Sequence, residues 1–172
     1  MRLYKKLYPK AYYKSVFDIS FESLKRSAIK GLAFDIDNTL SPFDIPEPDA
    51  ETVEFFRRAK QEGFSLCLIS NNSKKRVELY NKKLNIPFVC KAKKPLTRGL
   101  KQAMSQMGTV RDNTVLIGDQ IFTDILCGNM AGVKTILVEP KTDRDEWFIR
   151  IKRSFEKTVI DSYKKAGVKN EL

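Results

Sequence analysis

Gly31-Leu32-Ala33-Phe34-Asp35-Ile36-Asp37-Asn38-Thr39-Leu40 sets the reading of the whole chain. The apolar run has no polar alternation, so it predicts a strand over 31–36 that is buried on both faces. It runs straight into two acids spaced two residues apart. The same kind of short apolar run recurs at 64–69 (FSLCLI), 86–90 (IPFVC), 114–118 (TVLIG) and 134–138 (KTILV). Helical periodicity fills the gaps. Val53, Phe56 and Ala59 mark a helix over 49–62 that Gly63 stops. Val77, Tyr80 and Leu84 share one face of a helix over 73–84, with Ser73 as its cap. Further helices are predicted over 96–107 and over 121–131, the latter ended by Gly132. Strands alternating with helices predict an α/β fold: a mostly parallel, five-stranded sheet covered on both faces, in three layers.

The 172 residues suit one domain. Residues 1–30 read as a basic lead, 31–140 as the core, and 141–172 as a terminal segment with an amphipathic helix over 143–163. Hydrophobic residues make up 42% and charged residues 31%, which excludes disordered and collagen-like chains. No apolar run approaches the ~20 residues of a membrane span. The first fifteen residues lack the apolar segment of a secretory signal, so a cytoplasmic chain is expected. The net charge is +11, and residues 1–30 alone carry +6. Such a surface attracts phosphates of any kind without choosing among them. Basic side chains interleave with Leu3, Tyr4, Leu7, Tyr8, Tyr12 and Tyr13, and again with Trp147, Phe148, Ile151, Phe155 and Val159. Both stripes are expected to pack on the domain. The remaining positive surface would still draw the chain toward the inner face of an anionic membrane.

There is no His, and Cys67, Cys90 and Cys127 form no CxxC pair. This excludes His- and Cys-paired zinc sites and hydrolysis by an imidazole base. In open parallel sheets, ligands gather beyond the carboxyl ends of the strands. Asp35-Ile36-Asp37-Asn38-Thr39 follows the first predicted strand, and Ser70-Asn71-Asn72 the second. Lys93-Lys94-Pro95 follows the third, and Gly118-Asp119-Gln120 the fourth, with Asp124 a turn further on. Each piece alone reads as a turn, a cap or a solvated loop. A calcium loop starting at Asp35 fails, because Leu40 and Pro46 stand where Gly and a bidentate Glu belong. Together the pieces fall at one rim. Clustered carboxylates without His or Cys favour Mg²⁺. A neutralised carboxylate can approach a phosphate, Lys, Ser and Asn can hold its oxygens, and a second carboxylate can move the proton. No GxxxxGK or GxGxxG motif is present, so nucleotide-loop readings fail.

At this point FDIDNTL, ISNN, KAKKP and GDQIFTDILCGNMAG resemble the four motifs of the haloacid dehalogenase (HAD) superfamily of phosphohydrolases. The run GDQ-x-x-TD-x-x-x-GN with a short lead is similar to the YqeG-like, subclass IIIA members, a group akin to phosphatidylglycerophosphate phosphatases. The resemblance covers roughly residues 15–140. It implies Asp35 as nucleophile and Asp37 as general acid/base. It implies Ser70, with Asn71 beside it, on the phosphate. Lys94 would neutralise the phosphate and the nucleophile, with Lys93 an adjacent rival. Asp119 would hold Mg²⁺ together with Asp35 and the backbone carbonyl of Asp37, and Asp124 would ligate the metal or orient its waters. HAD proteins often carry an inserted cap. Here residues 41–48 and 72–93 leave no room for one, so an open site is expected. Such a site suits a bulky or membrane-held phosphomonoester, or needs a partner surface as its lid. The resemblance implies a lipid head group such as that of phosphatidylglycerophosphate. The alternatives are a phosphorylated small molecule, either a nucleotide or a sugar phosphate, or a phosphate-binding module without catalysis. Nucleic acid is not an expected partner.

Overall fold

A computed structural model describes residues 6–142, 147–165 and 172. In chain order the elements are β1 (Ala11–Tyr13), α1 (Phe21–Arg26), β2 (Gly31–Phe34), α2 (Ala50–Gln61), β3 (Ser65–Ile69) and α3 (Lys74–Asn81). They continue with β4 (Phe88–Val89), α4 (Arg98–Met107), β5 (Thr114–Gly118), α5 (Leu126–Ala131), β6 (Lys134–Val138) and α6 (Trp147–Lys165). The sheet order is β1-β6-β5-β2-β3-β4. Every pairing in it is parallel.

The sheet has six strands, not the five expected. The sixth is β1, inside the basic lead, with Ala11 opposite Ile136 and Tyr13 opposite Val138. Alternating lysines and tyrosines hid it: only Ala11 of the three residues is fully buried. The lead is therefore part of the core. Leu7, Tyr8 and Tyr12 pack against Ile121, Ile125, Leu137 and Val159. Tyr8 also meets the Tyr163 ring edge-on at 5.7 Å. The described part of both aromatic stripes thus lies against the domain. The expectations for Leu3 and Tyr4, and for the side chains of Trp147, Phe148, Ile151 and Phe155, lie outside the described residues.

Strand β2 occupies the middle of the sheet and is buried at all four positions. That is why its sequence shows no polar period. Phe34 stacks on Phe56 of α2 with ring centroids 4.8 Å apart, on the same face where Phe55 meets Phe17 and Phe21. The other face packs Ala33, Cys67 and Leu116 against Leu100 and Ala103 of α4 and Cys127 of α5. The caps match the sequence pattern. Asp49 accepts from the Thr52 amide at 2.7 Å to start α2, and Ser73 accepts from the Arg76 amide at 3.3 Å to start α3. Only a short connection separates β2 from α2, with no inserted cap. Among the described residues, no helix is long and apolar enough to cross a membrane.

Candidate active site

The carboxyl ends of β2, β3 and β5, together with the loop after β4, meet around an open pocket of about 320 Å³. Asp35, Asp37, Ser70, Asn71, Lys94 and Asp124 all line it. Asp35, Ser70, Lys94 and Asp124 are buried there, Asp37 is half-buried and Asn71 is exposed. Asp35 follows Phe34 directly, and its amide still bonds the Ile117 carbonyl at 2.9 Å, so the ladder fixes where its side chain leaves.

The turn beyond Asp35 is tight. Asn38 sits at φ 63°, a conformation Asn tolerates better than most residues, and its amide bonds the Ser41 carbonyl at 2.7 Å. This turn brings the Thr39 hydroxyl within 3.2 Å of both Asp35 Oδ2 and Asp119 Oδ1. Thr39 thereby ties the first acidic segment to the last.

Lys94 is the centre of the charge arrangement. Its Nζ lies 2.6 Å from Asp35 Oδ1, 2.6 Å from Asp124 Oδ1 and 3.0 Å from the Ile69 carbonyl. Its side chain is 2% exposed, whereas Lys93 is exposed, so Lys94 is the lysine that enters the cluster. The backbone explains why. Lys93 adopts φ 55°, which turns the chain back on itself. Asn71 then clamps Lys94 from both sides: its Oδ1 accepts from the Lys94 amide at 2.7 Å, and its Nδ2 donates to the Lys94 carbonyl at 3.1 Å. The Asn71 amide is thus committed to placing the lysine. Ser70 is buried, and its Oγ accepts from the Asn72 amide at 3.0 Å. Its own hydroxyl proton is then left to donate into the pocket.

Asp124 reaches the cluster through a wide helical turn, Ile121–Ile125, that precedes α5. Its Oδ2 accepts from the Gln120 amide at 3.1 Å. The carboxylate folds back directly over Gly118, and a Cβ there would collide with the Asp124 side chain. This explains the glycine before Asp119: it leaves room for the acid six residues after it. Gly118→Ala is therefore expected to push Asp124 off Lys94 and cut phosphatase turnover about 100-fold, the usual cost of misplacing reacting groups by ~1 Å. Phosphate release and a melting curve measured together test this, since the loss must appear in folded protein.

Oxygens of Asp35, Asp119 and Asp124 come within 4.8 Å of one another, and all three residues are buried. Three carboxylates without a nitrogen or sulfur donor fit a hard divalent cation such as Mg²⁺. Burial pushes the Asp35 carboxyl up to about 7, with Lys94 opposing and Asp124 adding to the rise. For Lys94, burial works against the ammonium, but Asp124 and Asp35 outweigh it and hold the pKa above the ordinary lysine range. An ionised Asp35 therefore depends on positive charge close by.

Asp37 stands apart from the three clustered acids. Its carboxylate is held from the β3–α3 side, with Arg76 Nη2 3.0 Å from Oδ1 and Asn72 Nδ2 3.3 Å from Oδ2. Sequence reasoning did not single out Arg76, Asn72 or Thr39 as site residues. A basic residue three positions into a helix carries no mark that it turns inward.

Residues 91–166 match the family described as "HAD-hyrolase-like". The chain is 36% identical over 159 residues to the probable phosphatase YqeG of Bacillus subtilis, covering 92% of each. It is 27% identical over 173 residues to the chloroplastic/mitochondrial phosphatidylglycerophosphate phosphatase 1 of Arabidopsis thaliana, covering 94% of this chain and 49% of that one. The chain thus spans about half of that plant relative. Among solved structures, the deoxy-D-mannose-octulosonate 8-phosphate phosphatase of Haemophilus influenzae superposes with a TM-score of 0.53 at 15% identity. That match covers 85% of this chain and 94% of the other. A putative β-phosphoglucomutase of Thermotoga maritima gives 0.55 at 10% identity, covering 80% and 99%. The fold and the acidic rim define a hydrolase of the HAD class. The chain belongs to the HAD superfamily and is a phosphatase of the kind YqeG represents.

Proposed function

We propose that the chain is a Mg²⁺-dependent phosphomonoesterase that works through an aspartyl-phosphate on Asp35. The observation that carries this reading is the Lys94 ammonium, 2.6 Å from both Asp35 and Asp124, on the floor of an open pocket. It keeps a buried carboxylate close to charged and ready to meet a phosphate dianion. Asp35 attacks phosphorus as the bond to the leaving oxygen breaks, and Asp37 gives that oxygen its proton. Water then attacks the phosphoryl group, Asp37 takes the water's proton, and the bond to Asp35 breaks to release phosphate. Ser70 donates to a phosphoryl oxygen, and Asn71 holds Lys94 in place. Asp35, Asp119, Asp124 and the backbone carbonyl of Asp37 would hold Mg²⁺, which would supply positive charge to the phosphoryl oxygens.

We assign phosphatidylglycerophosphate as the substrate. The relatives named for that activity support this, as does an open pocket over which the described residues place no cap. A lid would have to open around a membrane-held head group, whereas an open rim can meet it directly. A phosphate-release screen tests the assignment, with phosphatidylglycerophosphate in micelles beside sugar phosphates and nucleotides, each with Mg²⁺ and with chelator. The lipid is expected to have the highest kcat/KM. A soluble phosphate turning over faster than the lipid overturns the substrate, and release in excess chelator overturns the metal.

A further inference from the structure

We infer that Arg76 is the positioning residue for the proton-transferring carboxylate, Asp37. The inference rests on the phosphomonoesterase reading above and adds to it. A group that must deliver a proton to one oxygen needs a fixed side-chain direction. The Asn72 side-chain amide, 3.3 Å from Oδ2, holds one oxygen of Asp37. Arg76 holds the other from across the pocket rim, 39 residues away in sequence. Its Nη2 meets Asp37 Oδ1 at 3.0 Å, and its Nη1 donates to the Pro46 carbonyl at 3.2 Å. The guanidinium lies over the Tyr80 ring at 5.3 Å, and Tyr80 is fully buried one turn further along α3. The Ser73 cap pins the Arg76 backbone at the start of the same helix. Three supports thus hold the guanidinium, and its side chain is only 14% exposed. A solvated surface pair is not built in this way. Lysine could not copy it, because a single ammonium cannot span the Pro46 carbonyl and Asp37 with a planar fork.

The consequence is selective. As Asp37 gives its proton to the departing oxygen, negative charge develops on its carboxylate, against the guanidinium. That assistance matters most when the departing group is an unactivated alkoxide. It matters little for a phenolate that leaves without a proton. The kcat/KM value reports events up to the first P–O cleavage, so it isolates this step.

The test compares wild type, Arg76→Met and Arg76→Lys on glycerol phosphate and on p-nitrophenyl phosphate, with Asp35→Asn and Asp37→Asn in parallel. For Arg76→Met, kcat/KM on glycerol phosphate should fall about 10–100-fold, part of the ~10²–10⁴ that a general acid contributes. On p-nitrophenyl phosphate it should fall no more than about threefold. Arg76→Lys should recover only part of the loss and serves as the readable variant if Arg76→Met does not fold. In the Asp37→Asn background, Arg76→Met should cost nothing further on glycerol phosphate. Equal losses on both substrates, or additive losses in the double variant, overturn the inference. If wild type releases no phosphate, or Asp35→Asn releases it at the wild-type rate, the phosphomonoesterase reading itself fails.

Discussion

Asp35→Asn lowers phosphate release by at least about 10⁴-fold and, in metal-free buffer at pH 8, makes the protein more stable rather than less. The first half follows from the nucleophile role proposed for the carboxylate: an amide cannot form the acyl-phosphate link, and removing a nucleophile costs orders of magnitude. The second half follows from burial. The folded protein holds the Asp35 carboxyl near 7 against 3.8 for an unburied group. Between those two values the folded state binds more protons than the unfolded one, so stability falls as pH rises through that window. Above it the full penalty of an ionised buried carboxylate remains, about a few kcal/mol even with the Lys94 attraction included. Asparagine has nearly the same shape and none of that cost. Its one amide oxygen can still accept from Lys94, and its Nδ2 can donate to the Thr39 hydroxyl, which keeps its own proton for Asp119. The melting temperature should therefore rise by several degrees at pH 8, at about 2–4 °C per kcal/mol for a chain of this size. The gain should vanish near pH 4. Added Mg²⁺ should narrow it as well, because wild type then has a cation for the carboxylate and the variant has lost a ligand. Melting curves over pH 4–8, with and without Mg²⁺, check the sign. A variant less stable than wild type at pH 8 would mean that Asp35 is not under electrostatic strain.

The sequence made the strand ends legible because the chemistry there is concentrated. Asp35, Ser70 and Asp119 each follow a strand whose two buried faces suppress polar residues, so the first polar side chain beyond it stands out. The structure brings Asp35 and Ser70 to one pocket and sets Asp119 within reach of Asp35 and Asp124, as the parallel order requires. What sequence could not supply is direction. Lys93 and Lys94 are adjacent and identical, and only the left-handed turn at Lys93 and the Asn71 clamp send one inward. Arg76 looks like any basic residue in KKRVELYNKK, because helical spacing locates a residue on a face but not the neighbour opposite. Strand β1 failed for a related reason. Its three residues pair with β6 at the sheet edge, and the half-exposed tyrosines and nearby lysines made an amphipathic lead the natural expectation.

The buried lysine gives the second large effect. Lys94→Met keeps most of the side-chain length and removes the charge that lies between Asp35 and Asp124. Two buried carboxylates are then left facing each other, with one cation fewer between them. Breaking a buried ion pair by deleting one partner costs about 3–5 kcal/mol, because the remaining charge is stranded. Here two acids are stranded, so the metal-free melting temperature at pH 8 should drop by about 10 °C. The loss has a signature that a packing defect would not share. Acid should remove most of it, since protonating the carboxylates relieves the repulsion. Mg²⁺ should recover most of it at neutral pH, because the two acids that lose Lys94 are also two of the three whose oxygens come within 4.8 Å of one another. Activity should not recover with the fold. The restored protein still lacks the ammonium beside the nucleophile, and phosphate release should stay at least 10³-fold below wild type, a loss of about 4 kcal/mol in transition-state stabilisation. Calorimetry and turnover on the same Mg²⁺-loaded sample separate the two roles. Stability restored without activity places Lys94 in the chemistry, whereas recovery of both would reduce it to a structural counter-charge.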